Sequence, residues 1–116
     1  GKPIQLYNRG DMLRDFTYID DIVAGVVAAT NMQAGGHRIY NLGNHRGEQL
    51  RDMVRYLEDY LGRKAEIELL PMQPGDVYET FADISASTRD FGYHPRTTLA
   101  EGLKPFITWY REFYGC

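Results

Sequence analysis

The run from Ile22 to Ala29 is apolar on nearly every side of a helix, and this feature limits the folds open to the chain. A helix of this kind has to be buried against more than one layer of structure. Asp20 is a suitable N-cap, and Asp21 suits the first turn, where a carboxylate meets the positive end of the helix dipole. The sequence therefore predicts a helix over 20–32 that needs covering on both sides.

Strand-like segments alternate with helical ones along the chain, which is typical of an α/β fold. Apolar, aromatic and β-branched residues predict strands at 4–7, 14–18, 38–42, 65–70 and 80–82. The clearest amphipathic helix is predicted from Leu50, with Gly62 as its stop, and a helical turn follows over 85–91. A last helix is predicted from the capping box Thr98–Glu101, and Pro105 favours a kink or a later start in it.

The composition is that of one globular domain of 116 residues, of which 43% are hydrophobic and 25% are charged. The net charge of −3 and the scattered basic residues argue against nucleic acid or an anionic membrane surface as a partner. No apolar run reaches the length of a membrane span. The single cysteine, Cys116, cannot form an internal disulfide and fits a reducing compartment, so we expect a cytoplasmic protein.

Three stretches, taken together in their order and spacing, carry a resemblance to a known family: Arg14–Asp21 (RDFTYIDD), Ile39–Gly43 (IYNLG), and Pro71–Asp76 (PMQPGD) followed by Glu79-Thr80. They resemble the C-terminal part of extended short-chain dehydrogenase/reductases that act on nucleotide sugars. The likeness is greatest to UDP-glucuronate 4-epimerases. The closing residues 90–95 and 109–114 fit the same family, so the resemblance covers essentially the whole chain. One departure is Tyr78, which stands where many relatives have proline.

The resemblance implies that residues 1–116 form a single partial domain, the substrate-binding part of a larger protein. Its helix 20–32 and strand 38–42 would join the Rossmann sheet of an N-terminal part. The chain has no Gly-x-Gly-x-x-Gly fingerprint, and its only Tyr-x-x-x-Lys spacing, Tyr60 to Lys64, spans the end of a predicted helix. We therefore expect NAD and the proton-transferring pair to lie outside this chain, and the chain alone to be inactive.

Five residues are candidates for contact with a UDP-sugar. In the family that the chain resembles, the arginine matching Arg14 contacts the diphosphate, which a guanidinium can hold through two parallel hydrogen bonds. The aspartate matching Asp76 accepts the ribose hydroxyls, and Gln73 could hydrogen-bond a ribose or phosphate oxygen. The residue matching Tyr7 lies beside the uracil, and Phe16 belongs to the same motif as Arg14.

Each of these assignments competes with a structural role. Arg14 on a solvated face would pair with Asp15 or Asp20, and Asp76 after glycine would bond its own backbone in a turn. Gln73 would be an exposed loop residue, and both aromatic residues would pack in the core. The three histidines lie far apart next to turns, so we expect no metal site. Glu66 and Glu68 would form a solvated strand face more readily than a glycosidase carboxylate pair.

The function predicted from the sequence is UDP binding in a nucleotide-sugar 4-epimerase. Its substrate would be UDP-glucuronate, converted to UDP-galacturonate through a 4-keto intermediate with NAD as cofactor. Two alternatives stay open: the corresponding part of a 4,6-dehydratase or decarboxylase, and a non-catalytic truncated binding module. The predicted partners are a UDP-sugar and a further copy of the chain, most simply in a homodimer.

Overall fold

The computed structural model describes residues 2–33 and 35–116, in which short strands alternate with four helices. The strands and helices in chain order are β1 (Ile4–Leu6), β2 (Leu13–Arg14), α1 (Ile19–Thr30), β3 (Glu48–Gln49), α2 (Leu50–Leu61), β4 (Ile67–Leu69), α3 (Ser85–Phe91) and α4 (Leu99–Tyr114). A 3-10 turn over Tyr7–Gly10 joins β1 to β2. This order confirms the predicted α/β class.

The strands form two small sheets. β1 lies parallel to β4, with Ile4 opposite Ile67 and Leu6 opposite Leu69. β2 lies antiparallel to β3, and on its other side Leu13 makes a parallel bridge to Glu79. As a result β2 is the middle element of a narrow three-membered ladder.

Helices α2 and α4 pack against each other and contribute three buried side chains to the core. Val54 on α2 and Leu99 and Ile107 on α4 are buried. The Tyr60 hydroxyl donates to the Ala100 carbonyl at 3.0 Å. Tyr60 therefore joins the two helices through its hydroxyl.

The predicted capping box opens α4. The Glu101 backbone N–H donates to the Thr98 hydroxyl at 3.3 Å, and the Glu101 carboxylate accepts from the Thr98 backbone N–H at 3.0 Å. Hydrogen bonds from the Thr98 hydroxyl and backbone lower the pKa of Glu101. The helix begins at Leu99 and continues through Pro105, so the later start, one of the two predicted effects of Pro105, is wrong. The capping box stabilises the first turn, whereas Pro105 lies beyond that turn and leaves the Glu101 carbonyl without its usual i+4 donor.

Helix α1 is covered on one side only. Gly25 is buried, and a Cβ atom there would lie 2.8 Å from side-chain atoms of Leu42 and Tyr93. On the opposite side, Val26 and Val27 are about half exposed, at 48% and 52%. Asp20 is not the N-cap, because the helix begins at Ile19 and its N-cap residue makes no side-chain hydrogen bond.

Three predicted strands are shortened or do not form among the described residues. The strand expected at 14–18 ends at Arg14. Residues 80–82 form no strand, and the β-bridge nearest to them is at Glu79. Residues 38–42 form no strand, and Ile39 is 80% exposed. The carbonyl groups at the end of this segment accept from side chains instead: Asn41 from the Ser87 hydroxyl at 2.7 Å and Gly43 from the Tyr93 hydroxyl at 3.0 Å. A strand needs a neighbouring strand for its backbone groups, and the described residues supply none here.

Candidate functional site

Arg14 ends β2 at the centre of the narrow ladder. The backbone of the preceding Leu13 exchanges two hydrogen bonds with the 78–80 segment: its N–H donates to the Tyr78 carbonyl at 3.0 Å, and its carbonyl accepts from Thr80 at 3.1 Å. This backbone pairing fixes the starting point of the Arg14 side chain. It also brings the Pro-Gly-Asp loop, which precedes Tyr78, alongside β2.

The Arg14 guanidinium forms an ion pair with Asp76. Nη2 lies 2.9 Å from Asp76 Oδ1, while Nη1 donates to the carbonyl groups of Leu13 at 2.9 Å and Tyr78 at 3.1 Å. The two charged side chains are 22% and 31% exposed. The structure therefore brings together two predicted site residues that are 62 positions apart. The predicted alternative partners of Arg14, Asp15 and Asp20, are not its partners.

Asp76 also takes part in a turn. Its backbone N–H donates to the Gln73 carbonyl at 3.2 Å, and its Oδ1 accepts from the Val77 N–H at 2.8 Å. Gly75 has a φ of +84°, a conformation that favours glycine, so the loop can turn directly before Asp76. The turn and the ion pair use the same carboxylate oxygen. Oδ2 makes no side-chain hydrogen bond with the described residues and can accept from another donor.

Arg14 keeps donors for a further anion. Its Nε makes no hydrogen bond with the described residues. Nη2 donates to Asp76 Oδ1 and to the Met12 thioether at 3.7 Å, a weak acceptor that a phosphate oxygen can replace. The Nε–Nη2 edge of a guanidinium is planar and matches two oxygens of a phosphate or carboxylate. The site can thus hold an anion on Arg14 and a hydroxyl donor on Asp76 at the same time.

The other three candidates lie on the loop before Asp76, in the turn after β1 and on the segment after β2. Gln73 is exposed in the loop before Asp76. Tyr7 is half-buried in the 3-10 turn after β1, and its hydroxyl donates to Gln5 Oε1 at 3.3 Å. Phe16 lines an apolar groove of about 940 Å³ that also includes Tyr18 on the segment before α1 and Trp109 on α4. The contacts of the described residues link none of the three side chains to the ion pair.

Tyr78, where the sequence departs from the pattern of the family that it resembles, supports Arg14 through its backbone carbonyl. Its carbonyl accepts from Arg14, a contact that proline could also make because proline retains its carbonyl. Its hydroxyl donates to Asp11 Oδ1 at 3.3 Å. The nearby charge of Asp11, more than burial, raises the pKa of the Tyr78 hydroxyl. The contact with Arg14 therefore uses only the backbone of residue 78.

Asp15 has a role that the sequence did not reveal. Its carboxylate accepts from the backbone N–H groups of Asn44 at 2.8 Å, His45 at 3.2 Å and Ala82 at 2.9 Å. The sequence presents Asp15 only as a charge next to Arg14. No spacing rule links it to loops 29 and 67 residues away, so only the folded chain shows the contact.

Residues 2–33 and 35–116 contain neither a metal-ligand cluster nor a membrane-spanning helix. No group of three or more histidine, cysteine, aspartate or glutamate side chains converges there in a way that could hold a metal ion. Within the same residues, no helix combines the length and apolar character needed to cross a membrane.

A family model, curated relatives and solved structures all match this chain, and they point to the same family. The model of the NAD dependent epimerase/dehydratase family matches residues 1–43. An uncharacterized protein of Methanocaldococcus jannaschii is 46% identical over 112 residues, which is 97% of this chain and 34% of that protein. UDP-glucuronate 4-epimerase 6 of Arabidopsis thaliana is 43% identical over 131 residues, which is 99% of this chain and 28% of the plant protein.

A solved structure agrees with these relatives. The crystal structure of UDP-glucuronic acid 4-epimerase from Bacillus cereus, in complex with UDP-glucuronic acid and NAD, is 32% identical with a TM-score of 0.89; the match covers 97% of this chain and 36% of that chain. This chain spans about a third of the length of the relatives it matches. Its fold corresponds to the C-terminal part of UDP-sugar epimerase structures. The chain belongs to the NAD dependent epimerase/dehydratase family, within the extended short-chain dehydrogenase/reductases that its motifs resemble.

Proposed function

We propose that this chain is the UDP-binding segment of an NAD-dependent nucleotide-sugar 4-epimerase that converts UDP-glucuronate to UDP-galacturonate. The observation that carries the proposal is the pairing of Arg14 with Asp76 at 2.9 Å. A cation that can hold a diphosphate stands beside a carboxylate that can accept ribose hydroxyls. Relatives named as UDP-glucuronate 4-epimerases support the choice of sugar.

In this proposal the diphosphate binds the Nε–Nη2 edge of Arg14, and the ribose hydroxyls donate to the free Oδ2 of Asp76. Gln73, exposed in the same loop, donates its amide to a ribose or phosphate oxygen. Tyr7 packs beside the uracil from the turn after β1. Phe16 contacts the substrate from the apolar groove that its side chain lines.

The residues of this chain do not fit NAD. The dinucleotide-binding fold holds the pyrophosphate on a Gly-x-Gly-x-x-Gly turn between a strand and a helix, and residues 1–116 contain no such turn. We therefore assign NAD, which supplies hydride acceptance and return, to a part of the protein outside these residues. Residues 1–116 then form a partial domain that is inactive alone.

Anchoring the nucleotide suits an epimerisation. Inversion at C4 requires both faces of the sugar ring to be presented in turn, so the sugar must be able to move while the rest of the substrate stays bound. Contacts with the non-reacting UDP can supply the binding energy that keeps the reacting carbon in place. In this proposal Arg14 and Asp76 hold the UDP.

The test is calorimetric titration of the intact protein with UDP. Replacing Arg14 with alanine removes a charge-assisted hydrogen bond, so Arg14→Ala should weaken UDP binding by about 1.5 to 3 kcal/mol. Arg55→Ala is the matched control, because Arg55 is an exposed arginine on α2 whose ion partner is the nearby Asp52. The control should bind UDP as the unchanged protein does. Equal affinity of Arg14→Ala and the unchanged protein would contradict the proposal.

A further inference from the structure

The carboxylate of Asp15 holds two distant loops against β2. Oδ1 accepts from the Asn44 N–H, and Oδ2 accepts from the N–H groups of His45 and Ala82, at distances of 2.8, 3.2 and 2.9 Å. Hydrogen bonds from backbone N–H groups to an ionised carboxylate are stronger than those between neutral groups. The position of residue 82 relative to β2 is therefore fixed by Asp15.

The segment that Asp15 holds is the one that supports Arg14. Thr80 bonds the Leu13 carbonyl through its N–H, and its hydroxyl accepts from the Asp15 N–H at 3.1 Å. Tyr78 accepts from the Leu13 N–H and from Arg14 Nη1. Residues 78, 80 and 82 thus each contact β2 or the residue after it. The contact of Ala82 with the Asp15 carboxylate is the last of this series. Asp76 lies two residues before the first.

We propose that Asp15 is a positioning residue for the nucleotide site: it sets the separation between Arg14 and Asp76 through the backbone of residues 78–82. It reaches the nucleotide only through these two side chains. Without the bond to Ala82, the segment is held on β2 only by the bonds of Tyr78 and Thr80. The segment can then shift at its Ala82 end, and we expect the position of Asp76 to become less well defined. The inference rests on the proposed binding of UDP by Arg14 and Asp76.

The test variant is Asp15→Asn, which keeps the shape of the side chain but replaces one acceptor oxygen with a donor that faces a backbone N–H. In the intact protein we expect UDP affinity to fall about tenfold or more by calorimetry, the size of a lost charge-assisted bond. Asp21→Asn is the control. The Asp21 carboxylate also accepts two backbone N–H bonds, from Arg96 at 3.2 Å and Thr97 at 2.9 Å, but outside the 76–82 segment. The Asp21→Asn protein should have a lower melting temperature than the unchanged protein but the same affinity for UDP.

A double variant separates positioning from general stability. If Asp15 acts through Arg14, the combined Arg14→Ala and Asp15→Asn protein should lose less affinity than the sum of the two single losses. Strictly additive losses would show that Asp15 acts by another route and would overturn the inference. Titrations are made well below the melting temperature of every variant, so that a population of unfolded protein does not imitate weak binding.

The outcomes distinguish this inference from the proposed function. If Arg14→Ala weakens UDP binding and Asp15→Asn does not, the positioning role is wrong and the proposed function stands. If Arg14→Ala has no effect, the proposed function itself fails, and the positioning role with it.

Should Asp15→Asn fail to fold, Thr80→Val removes the neighbouring acceptor from the same segment and is expected to lower affinity by a smaller factor. A folded Thr80→Val protein with unchanged affinity would then overturn the inference.

Discussion

At the scale of single residues, the site depends on close packing around Asp15. Gly43 is buried there, and a Cβ atom at this position would meet Ala82 Cβ and lie 2.9 Å from Asp15 Oδ2. The neighbouring Tyr93 hydroxyl donates to the Gly43 carbonyl, and burial, followed by the charges of Asp21 and Asp15, raises the pKa of that hydroxyl. The glycine is required by this close approach of two loops.

We predict that Gly43→Ala lowers the free energy of unfolding by about 1 to 3 kcal/mol, the usual cost of forcing a methyl group into a filled space. Urea unfolding followed by circular dichroism measures it. Gly35→Ala is the control, because a Cβ atom at Gly35 would have no neighbour within 4 Å. Equal stability of the two alanine variants would show that the loops around Asp15 can move apart at little cost.

At the scale of elements, the sequence predicted the helices and caps that are defined by interactions between residues close together in the chain. Helix α2 from Leu50 to Leu61 and the capping box of α4 were both predicted correctly, since apolar spacing and a local hydrogen-bond motif define them. The parallel strands β1 and β4 were also predicted by position. Their mutual pairing was not, because no local signal states which strand lies next to which.

The predicted strand at 38–42 fails for a related reason. Its residue types favour a strand, but a strand forms only where another strand accepts its hydrogen bonds. The ion pair of Arg14 and Asp76 was equally beyond prediction from local patterns. Both residues were candidates because of the resemblance to a known family, but their contact is seen only in the folded chain.

Two elements carry exposed apolar faces that predict self-association. Helix α1 exposes Val23, Val26 and Val27, and α4 exposes a row of aromatic side chains that contact one another, from Phe106 to Tyr114. Burying one valine contributes roughly 1.5 to 3 kcal/mol, so several exposed ones favour association strongly. We predict that residues 1–116, expressed alone, form dimers or larger species at micromolar concentration.

Sedimentation velocity measures this association. Val27→Lys should shift the population toward monomer, because it places a charge in the middle of the α1 face. Asn31→Lys adds the same charge at the C-cap, after the last residue of α1, and should leave the distribution unchanged. A monomer with a cooperative melting transition would show that the exposed valines on α1 need no partner.

At the scale of the whole molecule, the described residues are less compact than a self-contained domain. The radius of gyration is 16.9 Å, whereas a folded domain of this length has about 13 Å. Seven apolar side chains are buried in the described part of the chain, while eighteen large apolar ones are exposed. Together with the coverage of about a third of its relatives, this supports the proposal that residues 1–116 are one part of a larger fold.

The most direct test of the central claim is a crystal structure of the intact protein with UDP bound. The account predicts the diphosphate within hydrogen-bond distance of Arg14 and the ribose hydroxyls on Asp76, with the ladder of β2 and residues 78–82 retained. UDP bound elsewhere, with Arg14 and Asp76 still paired and not in contact with it, would contradict the account.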